Sequence, residues 1–366
     1  MTSWGSGKLK IVYVTSESFI DHSYTIVSEL KKKVDLRVYI QAKENTNEIN
    51  EWCTRLNAEF VKRRRFRNPL SLYSDLKLLL ALRKLEADMV WFNTLTVYQL
   101  LIAKVLIRNF LVTVHDIEIH PETKDFHSVL SLKLTLALLR SKICVVSNTQ
   151  AEIFKDKYGF EPKVFKLPII DYYKEISNGP SLSEAVHNPG SVMKFFFFGA
   201  IEPYKGIEML IEAAEILESK NVNFELRIYG KLKYNVKELM ERIKKIRWAN
   251  LFNKYIVYNE IHAIYQENNV LILPYRQVTQ CGPLLIAYSE KIPVICNDLK
   301  GFREYVDERK SGLFYQGSPE DLANKMEFLI DNPESIISMR KYIETNIRER
   351  FSMLSLSNEY ILNLQS

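Results

Sequence analysis

The sequence predicts an α/β protein of two doubly wound, Rossmann-like domains facing a cleft, and three observations carry that reading. Short apolar strands alternate with helix-period segments from Lys8 to Tyr158, the signature of a parallel sheet with crossover helices. The same alternation restarts at Lys194. Between the two, residues 171–192 (DYYKEISNGPSLSEAVHNPGSV) are rich in Pro, Gly, Ser and Asn and have little periodicity, as expected of an interdomain linker and surface loop. The expected division is therefore residues 1–170, a linker over 171–192, a second domain over 193–350 and a helical tail over 351–366.

Composition agrees with this division. A chain of 366 residues, 47% hydrophobic and 26% charged, has ample material for two cores and is not disordered. Its four cysteines, Cys53, Cys144, Cys281 and Cys296, show no C-x-x-C spacing, which favours free thiols over a disulfide framework or a zinc site. No apolar run approaches the length of a membrane span. The N-terminal MTSWGSGKLK has no signal-peptide core. Cytoplasm is the expected compartment, with peripheral attachment to the inner face of a membrane left open. Residues 1–170 carry a net +8 and the rest −2, within a total of +6. A basic first half fits an anionic partner or an ordinary solvated surface.

In order, KLKIVYVT (Lys8–Thr15) is a strand, His22–Lys33 a helix and Leu36–Ile40 a strand. Further strands are expected at Met89–Asn93, Leu111–His115 and Ile143–Ser147. Helices are expected at Leu70–Lys84, Val97–Ile107, Val129–Leu139 and Thr149–Tyr158. Ligands of such sheets sit outside the carboxyl ends of the strands. That places Thr15 to Ser23, with His22 among them, then Asn93-Thr94, His115-Asp116 and Ser147-Asn148 at a candidate site. The first loop lacks G-x-G-x-x-G. His115 ends a β-branched strand and leads to Asp116 and His120. It is open between a sugar- or phosphate-binding histidine and a strand-end histidine satisfied locally. The run Lys62, Arg63, Arg64, Arg65, Arg67 beside a leucine-rich helix is open between an anionic membrane contact and a solvated basic loop. No nucleic-acid-binding motif accompanies it.

In the second half, Phe195–Phe198 is a continuous apolar strand stopped by Gly199. After Lys205-Gly206, Ile207, Leu210, Ile211, Ala214 and Leu217 recur at helical spacing. A lysine at a helix start is poor electrostatics, unless an anion lies between it and the helix end. Further strands are expected at Phe224–Gly230, Ile256–Tyr258, Val270–Tyr275 and Val294–Asn297. Helices are expected at Val236–Ile246, Glu260–Glu267, Cys281–Lys291 and Asp321–Leu329, with a helical tail from Pro333. Gly282 and Pro283 open the helix PLLIAYSEK, giving a second anion site or a plain cap. Arg276 beside it is a pocket cation or a surface arginine.

The segments GAIEPYKG (199–206), NVLILPY (269–275), IPVICNDLKGFREYV (292–306) and SGLFYQGSPEDLANKMEFLIDN (311–332) resemble the C-terminal domain of retaining glycosyltransferases of the GT-B fold, family four. The nearest likeness is to bacterial enzymes of surface-polysaccharide synthesis. The first half resembles the family more loosely, through VTVHDIEIHPE and KLPIIDYY. The resemblance implies a hexosyltransferase that moves a sugar from a nucleotide-sugar donor, UDP- or GDP-linked, to a glycan or lipid-linked acceptor. It implies no cofactor and no metal, and the chain contains no D-x-D pair.

It also implies that Lys205 meets the donor diphosphate together with Arg276, Gln280, Cys281 and Gly282. Gly199, Pro283 and Glu304 are further donor-site candidates, Glu304 alternatively a helix cap. His115 is the candidate for contacting the transferred sugar or leaving-group oxygens, and Asp116, His120 and His22 are acceptor-side candidates. The tail would cross back to the first domain. The chain departs from the family's pattern in carrying Ala200 where many relatives have arginine, and Ile286 where a glutamate grips the donor ribose; Glu290 is a possible neighbouring substitute. Two alternatives share the fold: a nucleotide-sugar epimerase, and a non-catalytic glycosyltransferase-like partner.

Overall fold

The computed structural model describes residues 7–64, 70–115, 133–177, 192–234 and 237–365. They form two compact units, one running to Pro168 and resuming at Met353, the other from Ile169 to Ser352.

The first unit is built on seven strands: β1 Lys10–Ser16, β2 Asp35–Ala42, β3 Ala58–Lys62, β4 Met89–Phe92, β5 Phe110–Val114, β6 Ile143–Val145 and β7 Lys163–Val164. Their order is β3-β2-β1-β4-β5-β6-β7, with every pairing parallel. Val12, Val14, Val90, Phe92, Val112 and Val145 face one way into a core with Leu79, Leu82, Leu100 and Ala103 of the crossover helices. The helix Met353–Gln365 belongs to this unit. Its Tyr360 hydroxyl donates to the Lys166 carbonyl at 2.7 Å and its ring packs on Trp91 and Phe165. Lys33 reaches its Ser357 at 2.6 Å.

The second unit has six parallel strands: β8 Met193–Phe198, β9 Phe224–Tyr229, β10 Ala249–Phe252, β11 Val270–Leu273, β12 Val294–Asn297 and β13 Gly312–Tyr315, ordered β10-β9-β8-β11-β12-β13. Phe195, Phe196 and Phe197 are fully buried between helix layers, which is why this strand reads as an unbroken apolar run. Each sheet reverses direction beside its first strand, between β1 and β4 and between β8 and β11. Ligands of doubly wound sheets bind at such switch points.

Several sequence expectations need correction. The linker does not begin at residue 171: Tyr172–Ile176 is a helix with both tyrosines buried, and Tyr173 stacks on Tyr258 at 5.8 Å. Residues 178–191 lie outside the described set. The strand expected at Ile256–Tyr258 is instead the entry to the helix Tyr258–Gln266, and β10 lies earlier, paired along β9 from Leu226 to Tyr229. It is a four-residue edge strand with alternate residues exposed, so it has no apolar run to betray it. Helix Asn47–Arg55, edge strand β3 and strand β13 were not anticipated. The first is short, capped by Thr46 and pinned by only Ile49 and Trp52. Of the helix expected at Val129–Leu139, residues 133–138 are helical and the earlier part lies outside the described residues.

Candidate functional site

In the second unit, Gly199 leaves β8 and the chain makes a short 3-10 turn, Pro203–Lys205, before helix Ile207–Ser219 begins behind Gly206. Gly206 adopts φ +63°, and a Cβ there would lie 2.1 Å from the Pro274 carbonyl oxygen. The turn therefore packs directly on the segment that leaves β11, across the switch point. The Arg276 amide donates to the Tyr204 carbonyl at 2.8 Å and fastens the two loops together.

This geometry folds the Lys205 side chain back over the end of β8. Its Nζ lies 3.1 Å from where a Cβ on Gly199 would stand, and the residue is only 9% exposed. The ammonium lies 5.7 Å from the Tyr204 ring centroid and 5.6 Å from that of Tyr275. Among the described residues it has neither a hydrogen bond nor an ion pair. Burial pushes its pKa down, with Glu202 and the Cys281 thiol opposing that shift. A buried ammonium without a paired anion is costly. This one sits at the start of a helix whose first N–H groups are themselves positive.

A second helix start meets the first. Helix Gly282–Ser289 has Pro283 in its first turn, and Pro283 Cγ is 4.0 Å from the same Gly199 Cβ position. Cys281 precedes the helix, 5% exposed, its thiol pushed up to about 11 by burial. The Oε1 of Gln280 is buried without a hydrogen-bond partner. Tyr275 is fixed from behind, Asn297 donating to its carbonyl at 2.9 Å. Lys205 Nζ and Pro283 thus meet over Gly199, with Cys281 near enough to act on the ammonium and the starts of two helices beside it. Such a point suits an anion with several oxygens.

Arg276 stands at the rim, 58% exposed, with Nη2 3.4 Å from Glu208 Oε2. Glu208 also accepts a hydrogen bond from Tyr234. The carboxylate of the family's ribose-gripping pattern has no counterpart at its own position. Ile286 is 3% exposed in the core. Glu290 is buried and turned to His262 Nδ1 at 2.8 Å and Gln266 Nε2 at 2.6 Å, so it is structural rather than ribose-binding. His262→Ala is expected to cost about 2–3 kcal/mol of unfolding free energy by leaving one carboxylate oxygen buried and unpaired, measured by urea titration. Glu304 follows the short helix Lys300–Arg303 at its C-terminal end, its amide donating to the Phe302 carbonyl. Tyr204, Tyr275 and Glu208 were missed by sequence reasoning; the repeated aromatic before a cation, PYK and PYR, was the available signal.

In the first unit, His115 follows β5 and is buried. Its Nε2 lies 3.0 Å from Asn93 Oδ1 and 3.1 Å from the Asn93 carbonyl, and Phe19 stacks on the ring at 3.9 Å. Two oxygens at Nε2 fix the proton there and leave Nδ1 as an acceptor. Among the described residues that atom is buried without a hydrogen-bond partner, as is Nδ1 of His22, which lies 3.9 Å from Asp21 Oδ1. Burial first, then His22, lowers the His115 pKa to about 3. Asn93 also donates to Thr15, whose hydroxyl pairs with Ser23 at 2.7 Å. These groups gather at the β1–β4 switch point. Asp116 and His120 lie outside the described residues, as do Arg65 and Arg67. Lys62 ends β3, and Arg63 and Arg64 follow it exposed.

The low His115 pKa has a sign. The unfolded chain takes up a proton near pH 6.5 that the folded chain refuses until about 3. Stability is therefore lost as pH falls through that window. His115→Gln is expected to flatten this dependence, read by denaturant midpoints between pH 7 and 4.

Residues 193–332 match the family model described as glycosyl transferases group 1. A stretch of 141 residues is 30% identical to the serotype-specific mannosyltransferase WbdA of Escherichia coli, covering 36% of this chain and 17% of that protein. The chain thus spans a minor part of the length of that curated relative. Among solved structures, a glycosyltransferase from Rickettsia africae superimposes with a TM-score of 0.72 at 18% identity, over 98% of each chain. The Anabaena protein HepE, solved in complex with UDP-glucose, gives 0.73 at 14% identity, over 97% of this chain and 99% of that one. At these identities the likeness establishes the fold: the chain has the two parallel-sheet α/β domains of the GT-B fold, and its residues 193–332 are similar to the glycosyl transferases group 1 family.

Proposed function

We propose that the protein transfers a sugar from a nucleotide-sugar donor to a glycan or lipid-linked acceptor, with retention at the anomeric carbon and without a metal, in cell-surface polysaccharide synthesis. The observation that carries this is Lys205, a buried ammonium without a hydrogen bond or ion pair, held between two helix N-termini. Charge develops on a nucleoside diphosphate as it leaves a sugar. A cation and N–H groups already fixed in place meet that charge without reorganising. Lys205 takes the diphosphate from one side and the Cys281-Gly282 turn from the other. Arg276, released from Glu208, adds a second cation where the arginine expected at Ala200 is missing. Gln280 turns its amide to a phosphate or sugar oxygen.

His115 serves through its neutral ring. Nδ1 accepts a hydrogen bond from a sugar hydroxyl, while Asn93 holds the proton at Nε2. A mannosyltransferase among the relatives and a structural neighbour solved with UDP-glucose set the range of donors to try. No helix of the described residues is long and apolar enough to cross a membrane; the proposed setting is cytoplasmic, at the inner face of the cell membrane.

The test is a donor screen with UDP-, GDP- and ADP-sugars, each with and without glycan acceptors, followed by analysis of the product's anomeric configuration. Transfer that requires acceptor and retains configuration supports the reading. Release of nucleotide with an epimerised sugar and no acceptor assigns the site to an epimerase instead. No binding of any nucleoside diphosphate leaves a non-catalytic partner.

A further inference from the structure

Strand β9 departs from the pattern of its sheet. In FELRIY, Phe224, Leu226 and Ile228 are fully buried on one face, while Glu225, Arg227 and Tyr229 occupy the other. A strand covered on both sides by crossover helices reads as an apolar run, as β8 does. The alternation in β9 marks a face without apolar cover. The register Arg227 to Asn250 and Tyr229 to Phe252 carries that polar face onto the edge strand β10. Helix Tyr258–Gln266 stands beside this floor, with Asn259 and Ala263 lining it and Glu267 just past the helix end. Ala263 fills little of the space, and a groove of about 780 Å³ remains between floor and wall.

The groove has an aromatic end. Phe252 and Tyr229 stack with ring centroids 4.6 Å apart and planes 8° apart. Tyr229 is buried and Phe252 is 39% exposed, so one face of the Phe252 ring is covered and the rest is open to solvent. The charged groups are already matched to one another. Glu225 accepts from Arg227 Nε at 2.7 Å, Glu267 accepts from Arg227 Nη1 at 3.5 Å, and Glu260 holds Lys254 Nζ at 2.9 and 3.0 Å. The exposed amides of Asn250 and Asn259 have no partner among the described residues.

We propose that this groove binds a neutral oligosaccharide, as a second carbohydrate site apart from Lys205. The C–H face of a pyranose ring rests on the negative face of the Phe252 ring. Its hydroxyls, each both donor and acceptor, pair with the two asparagine amides and with the remaining lone pairs of the carboxylates. Charge selects the occupant. A nucleotide or other phosphate would meet three carboxylates and no unmatched cation, whereas a neutral polyol uses donors and acceptors alike. The floor spans Glu225 to Tyr229, about 13 Å of strand, so it takes a chain of sugars rather than a single ring. It follows the face of the sheet, two strands from β8, and not the carboxyl ends where Lys205 lies. The inference does not depend on the glycosyltransferase reading, because its test reads binding and no catalysis.

The experiment is saturation-transfer NMR of the full chain with neutral oligosaccharides of mannose, glucose and galactose, each titrated for affinity. At least one is expected to bind, with its ring C–H protons nearest the protein. Phe252→Ala should weaken that binding about tenfold, and Phe252→Trp should keep it. Asn250→Ala with Asn259→Ala should weaken it about tenfold as well. Both asparagines are exposed, so this pair should unfold at the wild-type midpoint and separate lost binding from lost folding. Binding of no oligosaccharide, or wild-type binding by both Phe252→Ala and the asparagine pair, overturns the proposal. Displacement of the oligosaccharide by UDP, GDP or ADP overturns it too, by giving the groove to a nucleotide.

Discussion

Lys205→Ala is expected to slow sugar transfer by about 10²–10³-fold, the usual effect of removing one group fixed for developing negative charge. The loss should fall mainly on kcat, because the charge on the leaving diphosphate grows in the transition state. Folding should survive. Among the described residues the buried ammonium has no paired carboxylate, so the wild-type protein bears its desolvation in the absence of ligand. Lys205→Met, which keeps the stem and drops the charge, is expected to be as stable as wild type or more so. Sites assembled for ligands commonly carry such a trade between stability and function.

A pH dependence follows. The folded pKa of Lys205 is lowered from 10.5 by burial, so the folded chain sheds this proton at a lower pH than the unfolded chain does. The destabilisation is present below the folded pKa and fades as pH rises through it toward the unfolded value. Lys205→Met should lack this alkaline rise in stability. Anion binding favours the charged form, so nucleoside diphosphate should bind with proton uptake at pH values where Lys205 is partly neutral.

Gly206→Ala is expected to destabilise the second unit by about 2–5 kcal/mol. The left-handed conformation, φ +63°, costs a residue with a Cβ about 1–2 kcal/mol. The new methyl would also lie 2.1 Å from the Pro274 carbonyl oxygen. Backbone must move, and overpacking of that kind typically adds about 1–3 kcal/mol. Gly159→Ala supplies the control: its φ is +69° but no atom lies within 4 Å, so only the conformational part, about 1 kcal/mol, should appear. Urea unfolding of the two variants separates strain from collision. Equal small losses would mean that the turn does not press on Pro274, and the positioning of Lys205 would need another explanation.

Much of this was legible before any coordinates. β8 announced itself because it is covered on both faces, and helix Ile207–Ser219 because its core face is regular. The alternation gave a parallel sheet with crossover helices, but the switch-point location of Lys205 needs the strand order, which alternation leaves open between doubly wound arrangements. What escaped had a physical cause in each instance. β3 and β10 are edge strands with two exposed residues each and none buried, so neither leaves an apolar run. Tyr172 and Tyr173 are buried by packing against a helix distant in sequence, and the Pro- and Gly-rich residues after them disguised the start of the second unit. Glu290 looked available for a ribose because nothing local reveals that His262 and Gln266 claim both its oxygens. The box of Tyr204 and Tyr275 around Lys205 joins residues seventy positions apart, a relation that spacing alone does not encode.

The most direct test of the account is calorimetric titration of UDP, GDP and ADP into wild type and Lys205→Met, in two buffers of different ionisation enthalpy above neutral pH. The account predicts that at least one nucleoside diphosphate binds the wild type with proton uptake, and that Lys205→Met, folded and equally stable, binds it at least tenfold more weakly without that uptake. Equal affinity and equal proton exchange in both proteins would contradict it.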